Sequence, residues 1–298
     1  MDFSGVFPAL TTPFADDGSV SLADLKHNIQ RYNATDLAGY VVIGSTGESV
    51  LLKQAEVGGI LVTVKEAAAK GKKLIAGTGA ESTAETIERT KRAAELGYDA
   101  ALVKTPYYYK SSYKPEVLVA HYRRVADESR IPVLLYSVPQ FTGIALESPE
   151  VILLAQHSNI IGIKESSGNV QRVAEIIAGT PPAFQVLVGA APTVYPSQVL
   201  GARGAILALA SALPEKCVAL FELVRKGHHE KARELQALLA RASRHILSDF
   251  GIAGLKHVMD QRGYRGGLPR LPLLPLHQEQ KKRLNEFLVS LEPAAARV

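Results

Sequence analysis

The sequence predicts an α/β fold, a TIM (β/α)8 barrel with a C-terminal helical extension. Three observations carry that expectation. Eight short β-rich runs alternate with longer amphipathic stretches up to about residue 225. Several of the runs are almost continuously apolar, the pattern of parallel strands covered on both faces. Beyond them only helical patterns remain, near 230–247, 252–262 and 277–291.

The strands are expected at about 5–10, 40–43, 73–76, 100–103, 133–136, 160–163, 185–188 and 204–207. Helix signals fall between them. Ser82-Thr83-Ala84-Glu85 reads as a capping box, since the serine hydroxyl can bond the third amide while the glutamate reaches back. Ser148-Pro149 places an N-cap before a proline at the first helical position. Leu96-Gly97-Tyr98-Asp99-Ala100 and Leu200-Gly201-Ala202-Arg203-Gly204 read as one helix stop used twice, a glycine just ahead of a strand. A doubly wound open sheet is the rival, but its Gly-rich dinucleotide fingerprint is missing. Gly77-Thr78-Gly79 is too short for one and reads as a tight turn. No linker rich in Pro, Gly or Ser separates two units. Residues 1–225 therefore form the barrel, and 226–298 form helices packed on it as one structural unit.

A chain of 298 residues matches the usual size of one α/β barrel, about 250 residues plus decoration. Its 47% hydrophobic and 21% charged residues exclude a disordered chain, a collagen and a coiled coil. Cys217 is the single cysteine, so neither an internal disulfide nor a thiolate zinc cluster can form, which fits a reducing compartment. The start, Met1-Asp2-Phe3-Ser4-Gly5, lacks the basic and apolar regions of a secretory signal. No apolar run approaches the ~20 residues that span a bilayer, 204–213 being among the longest. The expectation is a soluble, cytoplasmic protein with no membrane partner.

The net charge is +5, with basic residues thickening toward the C-terminus, among them Arg225, Lys226, Lys281, Lys282 and Arg283. Acidic residues are interleaved and no aromatic pattern accompanies them. Solvated helix faces explain this better than a nucleic-acid surface. A mildly positive field suits small anionic substrates.

Barrel active sites lie at the carboxyl ends of the strands. Strand two ends in Gly44-Ser45-Thr46-Gly47-Glu48, strand four in Lys104-Thr105-Pro106-Tyr107-Tyr108-Tyr109, strand five in Tyr136-Ser137-Val138-Pro139 and strand six in Lys164-Glu165-Ser166-Ser167. Lys164 follows Ile160-Ile161-Gly162-Ile163. An amine held against apolar walls loses solvation in its charged form, and a neutral amine can attack a ketone to form a Schiff base. Lys104, after Ala101-Leu102-Val103, has a similar setting, so the residues alone leave two candidates. Either could instead snorkel to solvent. Tyr136 is a candidate proton donor, or a buried tyrosine with a satisfied hydroxyl. Ser45-Thr46 between glycines could bind a carboxylate through amides and hydroxyls, or merely form a βα turn. The run Tyr107-Tyr108-Tyr109 could anchor a subunit interface. His228-His229-Glu230 lacks metal-ligand spacing, and no metal is expected.

Four motifs together resemble the dihydrodipicolinate synthase / N-acetylneuraminate lyase family. They are Gly44-Ser45-Thr46-Gly47-Glu48, Thr105-Pro106-Tyr107-Tyr108, Tyr136-Ser137-Val138-Pro139 with Thr142-Gly143, and Gly162-Ile163-Lys164-Glu165-Ser166, in the family's order and spacing. The resemblance runs from Gly5-Val6 through Thr11-Thr12-Pro13-Phe14 to Arg270-Leu271-Pro272-Leu273, almost the whole chain. It implies a class I aldolase or lyase, usually a homotetramer of paired dimers. Such an enzyme acts on pyruvate and an aldehyde without metal or organic cofactor.

By that match Lys164 resembles the Schiff-base lysine, which settles its contest with Lys104. Tyr136 resembles the proton-relay tyrosine, Thr46 the relay hydroxyl, and Tyr108 the tyrosine lent by a neighbouring subunit. Ser45 matches a threonine beside the pyruvate carboxylate. Gly189 and Ile206 align with backbone positions lining the pocket, and Ser166, Ser167 or a basic residue could hold a distal carboxylate. Lysine-pathway synthases carry an arginine where this chain has Phe141, and an apolar ring cannot replace a bidentate guanidinium. Leu135-Tyr136-Ser137-Val138-Pro139 and Phe250-Gly251-Ile252-Ala253-Gly254-Leu255-Lys256 are similar to 4-hydroxy-2-oxoglutarate aldolases, although Phe141 is not typical of them either. The expectation is retro-aldol cleavage of that type. Condensation of pyruvate with aspartate semialdehyde is the alternative, and a non-catalytic 2-oxo-acid-binding barrel a remote one. In lysine-inhibited members an allosteric pocket lies at the dimer interface. Its matching positions here are Gln54 and Val57 in place of histidines and Glu81 in place of asparagine, with Glu85 and Tyr107 retained.

Overall fold

The structure, a computed structural model, describes residues 1–291. Eight parallel strands follow one another around a barrel: β1 Gly5–Pro8, β2 Gly39–Val42, β3 Lys73–Gly77, β4 Ala100–Lys104, β5 Val133–Ser137, β6 Ile160–Glu165, β7 Gln185–Val188 and β8 Gly204–Leu207. From β2 to β8 each strand pairs with its sequence neighbour, and β1 pairs with β8. A parallel bridge from Ala9 to Val41 closes the remaining gap between β1 and β2. The fold is a TIM barrel, as the alternation predicts, and helices cover its outer face.

The inside of the barrel is filled by alternate residues of the strands, among them Phe7, Ile75, Leu102, Leu134, Leu187 and Ile206. Their neighbours in sequence point outward. Val103, Leu135, Ile163 and Val186, for example, pack under the helices Pro115–Glu128, Ser148–Leu154 and Val170–Gly179. Both faces of each strand are thus apolar, which is why the runs read as continuous.

Local signals mostly behave as expected. Gly97 and Gly201 both take positive φ, +73° and +112°. In each case the next amide returns five residues, Tyr98 to the Ala93 carbonyl and Ala202 to Ser197, closing the helix before β4 and β8. Ser82 caps its helix by accepting from the Glu85 amide at 3.1 Å. The Glu85 carboxylate turns to Arg89 at 2.7 Å, so the capping box is only half formed. Ser148 is the first helical residue rather than the cap, because its hydroxyl donates to Glu175 in the next helix.

After the eighth unit, which ends in the helix Pro214–Arg225, come the helices His229–Ser243, Asp249–Gln261 and Gln278–Leu291. The first is shorter than its pattern suggests. It passes into a π-helical turn, Arg244–Ser248, and the next helix kinks at Gly251, where φ is 58°. Leu239, Ile246, Leu255, Val258 and Leu284 join Val188, Leu207, Leu213 and Leu220 in one continuous core. The last seven residues, 292–298, lie outside the described part of the C-terminal unit. No helix among the described residues is long and apolar enough to cross a membrane.

Candidate active site

Strand register brings the central residues together. Lys104 on β4 pairs with Tyr136 on β5, which pairs with Lys164 on β6. Residues in register on parallel strands face the same way, so two amines flank one phenol at the barrel mouth. Lys164 and Tyr136 are both buried, and the Lys164 amine lies 4.3 Å from the centre of the Tyr136 ring. Lys104 is differently engaged. Its amine lies 3.8 Å from the Glu81 carboxylate and 4.6 Å from the Tyr107 ring. Burial pulls the Lys104 pKa down, and the Glu81 charge opposes that pull.

The turn after β2 supplies hydroxyls from the opposite side. Ser45–Gly47 is a single 3-10 turn bracketed by two residues of positive φ, Ile43 at 58° and Glu48 at 54°. Positive φ in a β-branched residue is strained and persists only where packing enforces it. Gly77 makes room for this turn, since a Cβ there would stand 2.2 Å from the Ile43 carbonyl oxygen. The hydroxyl that reaches the phenol belongs to Ser45, whose Oγ is 3.4 Å from the Tyr136 Oη. The family resemblance gives the relay role to its neighbour Thr46. The turn instead directs its first side chain at Tyr136, with Thr46 buried beside it.

The sequence pattern of the dihydrodipicolinate synthetase family matches residues 2–291. The chain belongs to this family. A 4-hydroxy-tetrahydrodipicolinate synthase from an Exiguobacterium species is 37% identical over 282 residues, covering 95% of this chain and 96% of the relative. Among solved structures, the chloride-inhibited dihydrodipicolinate synthase from Acinetobacter baumannii in complex with pyruvate superposes with a TM-score of 0.91. It is 31% identical, covering 97% of this chain and 98% of that one. The Cyanidioschyzon merolae enzyme with lysine bound gives 0.92 at 29% identity, again covering 97% and 98%. Family members are lyases of the class I aldolase type, and so is this chain.

The remaining members of the synthetase-family motif occupy distinct places. Ile206 is fully buried in the barrel beside Tyr136 and Leu187. Gly189 follows β7, and its amide donates to the Glu165 carbonyl at 2.7 Å. A Cβ at Gly189 would stand 1.8 Å from the Ser166 Oγ, so only glycine lets the two strand ends approach. Ser166 is buried, and its Oγ has no hydrogen-bond partner among the described residues. Such a group is costly unless a ligand or water satisfies it, by about 1–3 kcal/mol. Its carbonyl accepts from the Gln140 side chain at 2.9 Å.

Two predicted site residues lie at the surface. Tyr108 is 74% exposed and Phe141 67% exposed. Tyr108 stands edge-on to Tyr109, while the amides of Tyr107 and Tyr108 both donate to Glu81, at 3.0 and 2.8 Å. Phe141 sits on the short helix Pro139–Thr142. Beside that helix, Lys110 lies against Gly143, its amine 2.9 Å from where a Cβ would stand. Behind Lys164, burial raises the Glu165 pKa, against hydrogen bonds from Ser167 and the charge of Arg172 at 3.8 Å.

Sequence reasoning assigned no role to the charges beneath the Ser45 turn. Lys256 and Glu48 form a fully buried ion pair at 2.6 Å. Removing one partner of such a pair costs about 3–5 kcal/mol, because it strands the other charge. Arg270 donates its amide to the other Glu48 oxygen at 2.8 Å and grips Glu56 through two hydrogen bonds at 2.6 and 2.7 Å. Glu48, Lys256 and Arg270 all lie in the quoted motifs, but nothing in one sequence says that they meet. A cavity of about 650 Å³ opens between the helices Gln54–Ala67 and Thr83–Glu95, lined by Ser49, Gln54, Val57 and Arg89.

Proposed function

We propose that this chain forms a Schiff base with pyruvate through Lys164 and uses it to make or break a carbon–carbon bond with an aldehyde. The observation that carries the reading is the register of Lys164 with Tyr136, amine over ring, with the Ser45 hydroxyl against the phenol. The neutral amine attacks the C2 ketone, and the carbinolamine loses water to give an iminium. That cation draws electrons from C3, so C3 loses a proton to give an enamine, which then attacks the aldehyde carbon. Hydrolysis returns the free lysine. Tyr136 and Ser45 carry the protons, and the hydroxyl and amides of the Ser45–Thr46 turn hold the pyruvate carboxylate. Tyr108 from a second copy would complete the relay, and its exposure leaves it free to do so. A cytoplasmic homotetramer belongs to the same proposal.

The relatives' name favours 4-hydroxy-tetrahydrodipicolinate synthase chemistry, condensation of pyruvate with aspartate semialdehyde, over the aldolase reading reached from the motifs. Phe141 supports a second reading, retro-aldol cleavage of 4-hydroxy-2-oxoglutarate, because an exposed ring offers a carboxylate no charged partner. The deciding experiment compares kcat/KM for the two reactions. A synthase should condense the semialdehyde efficiently and complement a lysine-requiring strain. Failure there, with efficient cleavage of the hydroxy-oxo acid, selects the second reading. Activity in neither overturns both. Phe141→Arg should shift the ratio toward the semialdehyde, since specificity is a difference in transition-state binding.

A further inference from the structure

The turn that carries Ser45 and Thr46 is held from underneath by the C-terminal extension. The Lys256 ammonium donates to the carbonyls of Thr12 and Leu268, both at 2.8 Å, and stands 2.6 Å from Glu48 Oε1 as an ion pair. An amine buried in this way and held by a charge and two carbonyls is structural. Glu48 is fully committed as well, one oxygen to Lys256 and the other to the Arg270 amide. Thr12 adds a bond from its hydroxyl to the Gly47 carbonyl at 2.7 Å. Arg270 reaches the Leu51 carbonyl, just past the turn, at 2.9 Å and the Gly18 carbonyl at 2.7 Å. Both cations lie over the Phe14 ring, at 4.5 and 4.2 Å.

A buried ion pair is weak evidence for stability, since apolar residues of similar volume often do as well. Here the pair ends on a backbone that the chain would not adopt unaided. Glu48 itself is at φ 54° and Ile43, at the other end of the turn, is at φ 58°. We propose that Lys256, acting through Glu48, is a positioning residue that fixes the Ser45–Thr46 turn against Tyr136, so that the C-terminal helices are part of the catalytic apparatus. This rests on the Schiff-base reading, in which Ser45 moves protons and Thr46 faces the pyruvate carboxylate.

The test uses the full-length enzyme and four variants. Lys256→Met and Glu48→Gln each strand one buried charge and should lower the Tm. The double variant removes both charges and should recover most of the Tm, while kcat stays at least tenfold below wild type and KM for pyruvate rises. Glu48→Asp keeps the charge but shortens the strut by one methylene. It should fold with nearly unchanged Tm, lose about tenfold in kcat and shift the limb of the pH–rate profile that reports the relay. Borohydride with saturating pyruvate should still label Lys164 in all four. A double variant that regains wild-type kcat along with its Tm, or Glu48→Asp with unchanged kcat and pH profile, would overturn the proposal. Absence of labelling in the wild-type enzyme would instead overturn the Schiff-base reading beneath it.

Discussion

Ser45 Oγ and Tyr136 Oη stand 3.4 Å apart, joining the turn after β2 to the end of β5 across the barrel mouth. That separation shows which of two adjacent hydroxyls lies within reach of the phenol. Ser45→Ala should therefore lower kcat by about 10–100-fold, the range of a lost proton-transfer partner, with little change in KM for pyruvate. Thr46→Ala should raise that KM more than it lowers kcat. Steady-state kinetics of both variants is the measurement, and the reverse pattern returns the relay to Thr46.

Covalent capture separates the two lysines. Borohydride with pyruvate should add a reduced pyruvyl group to the Lys164 peptide and abolish turnover. The Lys104 amine is tied to Glu81 and the Tyr107 ring and should stay unlabelled. Lys164→Ala should remove the label, whereas Tyr136→Phe should keep it and slow turnover about 100-fold. Peptide mass spectrometry decides, and a label on Lys104 contradicts the assignment.

Free L-lysine should not inhibit this enzyme. The Glu81 carboxylate is occupied by the amides of Tyr107 and Tyr108, and Glu85 by Arg89. Gln54 accepts from Arg89 at 3.3 Å, and Val57 offers the cavity no polar group. Allosteric coupling amounts to about 1–3 kcal/mol, which the loss of two ligand contacts removes. Initial rates with and without saturating lysine are the check. Inhibition that pyruvate does not compete away would show a working site.

Acid should destabilise the protein in two pH windows. Burial pushes the His121 pKa down from 6.5 to about 4, partly opposed by Glu81 and reinforced by Lys104. The unfolded histidine binds its proton more readily, so this contribution is complete above pH 6.5 and is lost as pH falls toward 4. It amounts to at most about 3 kcal/mol. Hydrogen bonds from Arg270 hold Glu56 down from 4.5 to about 2. Stability from that pair is present above 4.5 and is lost between 4.5 and 2, about 1–2 kcal/mol once solvent screening is allowed for. Tm against pH should fall through both windows. His121→Gln should flatten the first and leave the second, and a variant falling as steeply as wild type between 6.5 and 4 would refute this account.

The sequence by itself determined the barrel, because each strand is short, apolar on both faces and separated from the next by a helical stretch. Those are local properties, readable one segment at a time. It also determined that Lys164, Tyr136 and the Ser45-Thr46 pair stand at strand ends, since motif position along a strand is local too. Tertiary structure alone decided how they meet. The register of β4, β5 and β6 placed Tyr136 between two lysines, and one 3-10 turn brought the Ser45 hydroxyl to the Tyr136 phenol. The pairing of Glu48 with Lys256, and of Glu56 with Arg270, joins residues more than two hundred positions apart. No periodicity records such a pairing, because only chain closure around the barrel brings those side chains within reach.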